Sequence, residues 1–66
     1  MSITVNDIVY DYVEHETISE LLHRLNFRFP LIIVKINGTF IPRDRFVMTS
    51  IPDHAMISII HMISGG

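Results

Sequence analysis

Leu31-Ile32-Ile33-Val34-Lys35-Ile36-Asn37-Gly38-Thr39-Phe40-Ile41-Pro42 decides the fold of this 66-residue chain. Leu31 through Ile36 is apolar except for Lys35, and predicts a strand buried on most of both faces. Asn37-Gly38 is the strongest short-range hairpin signal, because a type I′ turn needs positive φ at both central positions. Thr39-Phe40-Ile41 is the returning strand. Pro42 ends it, since proline cannot donate to a ladder.

Upstream of this hairpin lies a second one. Ile3 and Val5 alternate with Ser2, Thr4 and Asn6, the pattern of a half-buried strand. Asn6-Asp7 tolerates the left-handed backbone of a two-residue turn. Ile8-Val9-Tyr10-Asp11-Tyr12-Val13 follows, rich in β formers, and with Asp11 toward water Ile8, Tyr10 and Tyr12 are expected inward. Thr17-Ile18-Ser19-Glu20 has the form of a capping box that opens a helix. Ile18, Leu21, Leu22 and Leu25 then fall on one helical face, and Glu20 and Arg24, four apart, are expected to pair on the wet face. Asn26 is a reasonable stop, and Pro30 bars continuation.

Downstream, residues 43–55 read as irregular, with charge at Arg43, Asp44, Arg45 and Asp53. Met56 to Ile63 is the last strand. Its apolar content places it in the middle of a sheet, paired in parallel with the first strand. The expected fold is α+β: one domain over residues 1–66, with a mixed sheet of about five strands and one helix packed on one face.

Composition narrows the function. A chain this short buries only about 60% of its unfolded surface. Yet 48% of its residues are apolar, and mean hydropathy is +0.39. Exposed apolar surface is therefore expected, and with it protein partners. With no cysteine there is no disulfide, thiolate-bound zinc or thiol nucleophile. A formal charge of −2 with scattered signs argues against nucleic acid. The apolar runs fall short of the roughly 20 residues that cross a membrane, and the N-terminus has no basic leader. A cytoplasmic protein is the expectation.

Gly65-Gly66 closes the sequence directly after the apolar run. Two terminal glycines bury nothing and cost backbone entropy to order. They form a thin, flexible tail over residues 64–66 that ends in a carboxylate. Such a tail fits a narrow active site where any Cβ would clash, so the protein is expected to be a substrate through its own C-terminus.

These features resemble the β-grasp, or ubiquitin-like, fold, and within it the sulfur carrier family of bacterial thiamine biosynthesis. The resemblance rests on Ile3-Thr4-Val5-Asn6, the Thr17 to Leu22 helix start, the segment Val34 to Phe46 and the terminal Gly65-Gly66. In that segment an Ile-Asn turn, an apolar pair, Pro42-Arg43 and Phe46 follow the family pattern. One departure is His54-Ala55, where the family commonly has Gly-Asp. His54 there implies a strained turn or a different one.

The resemblance implies that an E1-like activating enzyme adenylates Gly66 and that a sulfur-donor protein converts it to a thiocarboxylate. The sulfur then goes to a thiazole synthase. Ser64 and Gly65 serve as tether, no cofactor is bound, and ATP and magnesium belong to the activating partner. The chain is then a co-substrate and not an enzyme. Period-two alternation, with Lys35 and Ser58 outward, puts Ile33, Ile60 and Met62 on the side the helix cannot cover. These three, with Arg43 at the rim, are the expected partner-binding patch.

Other residues read more simply. Met48 and Met56 are expected in the core, and His61 is expected to be partly buried. His15 and His23 read as solvated, and Lys35 as an outward charge. His54 and His61 lack a third ligand for zinc. Competing readings are the small subunit of molybdopterin synthase, a ubiquitin-like modifier that forms amides with lysines, and a module that never reacts at Gly66.

Overall fold

The computed structural model describes residues 1–28 and 31–62. Strands β1 (Ser2–Val5) and β2 (Ile8–Asp11) form the first hairpin, with Asn6 and Asp7 at φ 50° and 68°. Strands β3 (Ile32–Ile36) and β4 (Thr39–Ile41) form the second, with Asn37 and Gly38 at φ 51° and 84°. Both turns have the positive φ pair of type I′. A Cβ on Gly38 would meet nothing within 4 Å, so backbone angle and not space calls for glycine there.

Strand β5 (Met56–His61) occupies the centre of the sheet, whose order is β2-β1-β5-β3-β4. It runs parallel to β1, with Val5 beside Ile57, and antiparallel to β3 from Ile36–Ile57 to Ile32–His61. Two ladders explain its alternation: Ile57 and Ile59 are buried, while Met56, Ser58 and Ile60 are exposed.

Helix α1 (Ile18–Arg24) covers one face and buries Ile18, Leu21 and Leu22 against Ile3, Val5 and Val34. Full burial of a side chain such as Leu21 stabilises by about 1.5–3 kcal/mol. The capping box is present: the Glu20 amide donates to Thr17 Oγ1 at 3.2 Å, and the Thr17 amide donates to Glu20 Oε1 at 2.9 Å. At the other end the Phe27 amide donates to Leu22 O at 2.9 Å and the Asn26 amide to His23 O at 3.2 Å. With Asn26 at φ 62°, this is a Schellman stop.

Several expectations are corrected. Glu20 does not pair with Arg24, because its carboxylate is held by the cap. Arg24 instead grips Glu16, with Nε donating to Oε2 at 2.9 Å and Nη2 to Oε1 at 2.8 Å, and Nη2 also reaches Asp11 O at 3.1 Å. β2 stops at Asp11, short of Val13. As an edge strand it lies partly beyond the helix, so Ile8 is exposed and Tyr10 and Tyr12 are only half-buried. β3 is buried on one face only: Val34 and Ile36 are enclosed, Lys35 is exposed and Ile33 is half-buried. A single helix cannot cover both faces.

Residues 43–55 are also more ordered than expected. A short 3-10 turn (Arg43–Arg45) leads to buried Phe46, and Ile51 and Ala55 complete the core. This segment satisfies the start of α1: the Ile18 amide donates to Thr49 O at 3.0 Å, and the Ser19 amide to Phe46 O at 3.1 Å. Met48 and Met56 lie exposed, not in the core, and His61 is exposed at the end of β5.

Candidate functional site

The face of the sheet opposite the helix is open. Its side chains follow from register. Ile33 stands beside Ile60, Lys35 lies between Ser58 and Phe40, and Thr4 lies between Met56 and Val9. Ile60 is 46% exposed and Met62 is 47% exposed. Val9, Phe40 and Met56 are exposed as well, so apolar side chains recur across this face from β2 to β4, with Thr4, Lys35 and Ser58 between them. Patches of this kind on small proteins mark binding sites.

The four expected patch residues are brought together. Ile33 and Ile60 are cross-strand neighbours. The Met62 amide donates to Leu31 O at 2.9 Å, which carries the chain past the end of β5 beside β3. There Arg43, Ile33 and Met62 line a shallow hollow of about 240 Å³ with Leu31 and Ile32. Ser64, Gly65 and Gly66 lie outside the described residues.

Sequence reasoning missed the rest of the face. Met56 shares strand parity with Ser58, and that signal pointed outward. Phe40 was legible from the Asn37-Gly38 turn, which fixes it opposite Lys35. Nor was the role of the two turn asparagines foreseen. Asn6 Oδ1 accepts from the Ile59 amide at 2.8 Å, and its Nδ2 donates to Ile59 O at 3.0 Å. Asn37 Oδ1 accepts from the Met56 amide at 2.8 Å, and the Asn37 amide donates to Met56 O at 2.8 Å. Both turns thus hold the central strand β5.

Among the described residues the one resolved pKa shift is at Arg24, raised chiefly by its hydrogen bond to Glu16. Among the described residues no group of His, Asp and Glu has the proximity to hold a metal. Nor, among them, is any helix long and apolar enough to cross a membrane.

A mixed five-stranded sheet with parallel first and last strands, crossed on one face by a single helix, defines the ubiquitin-like β-grasp class. Within that class, the ThiS family model matches residues 3–66, and the chain belongs to the ThiS family. It is 32% identical to the ycf40 protein of Porphyra purpurea, over the whole of this chain and 93% of that one. The crystal structure of a thiamine biosynthesis protein, ThiS, from Geobacter metallireducens superimposes with a TM-score of 0.80 at 26% identity, covering all of both chains. A solution structure of a thiamine biosynthesis protein from the same organism matches with a TM-score of 0.77 at 28% identity, over all of this chain and 88% of that one. ThiS proteins are small sulfur carriers and not catalysts.

Proposed function

We propose that this chain carries sulfur on Gly66 for thiazole formation in thiamine biosynthesis. The terminal carboxylate is an anion at neutral pH, with an ordinary pKa of about 3.3–3.7. As an acyl donor it is inert, because its leaving group would be oxide. Its oxygen attacks the α-phosphorus of ATP, and pyrophosphate leaves. A persulfide on a donor protein displaces AMP, and a thiol then reduces the acyl disulfide to the thiocarboxylate. ATP and magnesium belong to an E1-like activating enzyme, and the acceptor of the sulfur is a thiazole synthase. The chain contributes the acyl carbon of Gly66, the slim Ser64-Gly65 tether and the apolar open face as a grip. It acts as co-substrate in the cytoplasm, without nucleic acid or membrane.

One observation carries this reading: the family match runs through Gly66 and is continuous with the central strand β5. Mass spectrometry of the C-terminal fragment tests it, after incubation with an activating enzyme, ATP and a sulfur donor. Replacement of one oxygen by sulfur at Gly66 is the expected result. Amide conjugates on other proteins would replace it with a modifier, and an unaltered terminus with a plain module.

A further inference from the structure

Lys35 is the single lysine of the chain, and it stands exposed on the open face. Register fixes its surroundings. Phe40 on β4 and Ser58 on β5 are its cross-strand neighbours. Ile33 lies two residues back on the same side of β3, and Met56 and Ile60 are the diagonal neighbours on β5. Phe40, Met56 and Ile60 are all exposed. An ammonium group thus rises from among apolar side chains.

The described fold leaves this charge unanswered. No hydrogen bond or ion pair joins Lys35 to another described residue, whereas Arg24 is held by Glu16. Asp7 and Asp11 belong to the β1–β2 hairpin, three strands away, which is roughly 14 Å at about 4.8 Å per strand. That exceeds the Debye length of about 8 Å at physiological salt, so neither neutralises the lysine. A partner seated on Ile33 and Ile60 must cover Lys35 as well. A covered ammonium loses its water, and an apolar counter-surface returns nothing for it. A carboxylate opposite Nζ offsets that loss through a charge-assisted hydrogen bond.

We infer that the activating enzyme presents an Asp or Glu to Lys35, set within apolar side chains that cover Ile33, Phe40 and Ile60. The inference rests on the sulfur-carrier reading and adds to it the chemistry of the partner's surface. The apolar neighbours supply contact area. Lys35 decides which surfaces are accepted, because one that is apolar or basic at that point is refused.

The test uses the full chain and the activating enzyme, mixed without ATP. A carbodiimide is a zero-length coupling reagent and joins an amine only to a carboxylate in contact with it. Because the chain has a single lysine, mass spectrometry of the coupled peptides identifies the pair. A cross-link from Lys35 to an Asp or Glu of the enzyme is expected. In calorimetric titration, Lys35→Met keeps most of the stem, loses the charge and should weaken binding at least about thirtyfold. Lys35→Arg keeps the charge and should bind within a few-fold of wild type. Lys35 is exposed, so folding survives in both. Added salt should weaken wild type more than Lys35→Met. Wild-type affinity in Lys35→Met overturns the inference. So do equal losses in Lys35→Met and Lys35→Arg, which would assign the effect to the stem, and a saturated complex without a Lys35 cross-link. Wild type that does not bind at all defeats the sulfur-carrier reading and this inference with it. The other failures leave that reading standing.

Discussion

The side-chain amide of Asn6 pairs with both backbone groups of Ile59, 53 residues away in sequence, at 2.8 and 3.0 Å. Asn6 sits in a turn at φ 50°, where its side chain behaves as an added strand residue and extends the β1–β5 ladder beyond Val5. One residue thus meets two demands: left-handed backbone, and a donor and acceptor for the central strand.

Those demands can be separated. Asn6→Gly keeps the backbone angle and loses both hydrogen bonds, so unfolding free energy should fall by about 1–3 kcal/mol. Asn6→Ala adds left-handed strain of about 1 kcal/mol more. Denaturant titration should rank wild type above glycine and glycine above alanine. A glycine variant as stable as wild type would show that the amide contributes nothing.

His54 occupies φ 65° in the turn before β5. Its imidazole is 3.5 Å from Asp53 and 76% exposed, a contact worth little. His54→Gly removes strain of about 1–2 kcal/mol against a flexibility cost of roughly half that. The midpoint of thermal unfolding should rise by about 3–6 °C. A fall would mean that the imidazole matters more than the backbone.

Arg24 holds Glu16, whose side chain is only 7% exposed. Arg24→Leu leaves that carboxylate buried without its partner and should cost about 1–3 kcal/mol. The double variant Glu16→Leu, Arg24→Leu should recover part of the loss, because no charge is then stranded. The hydrogen bond to Glu16 raises the Arg24 pKa first, burial opposes it, and the Glu16 and Asp11 charges add to the rise. A raised basic group stabilises fully below its unfolded pKa and loses that contribution only as pH climbs through the folded one. The penalty of Arg24→Leu should therefore be flat from about pH 6 to 9. A penalty that vanishes by the upper end would contradict this assignment.

Ile60→Asp places a charge on the open face beside Ile33. Its exposure predicts a stability change within about 0.5 kcal/mol. Adenylation by the activating enzyme should nonetheless slow at least about tenfold, the loss expected of one anchoring residue. Val9→Asp, on the far edge of the same face, should matter less. Unaltered adenylation of Ile60→Asp would remove this patch from the docking surface.

Gly66→Val should fold like wild type and accept neither AMP nor sulfur. Full turnover of that variant would rule out the narrow-channel account of the tail.

Local chemistry made much of this molecule legible. Asn37-Gly38 and Asn6-Asp7 gave the two turns, because few residues tolerate positive φ. Thr17 and Glu20 gave the helix start, and the same cap explains why Glu20 was lost to Arg24. What escaped was set by tertiary context. The one-sided burial of β3 depends on how many helices cover the sheet, which Leu31 to Ile36 cannot report. Met48 and Met56 have the composition of a core and the position of a surface. The open face was found from parity at Ile33, Ile60 and Met62, but its width needed the cross-strand register that brings in Phe40 and Val9.

The central place of β5 has a mechanical consequence. On the proposed sulfur-carrier reading, a partner pulls on the chain's end, and that pull reaches the folded body through β5. The load is then shared in shear by hydrogen bonds to β1 on one side and β3 on the other, with Asn6 and Asn37 as extra rivets. Many bonds must yield together before β5 slips, so the fold can bear such a load without unravelling.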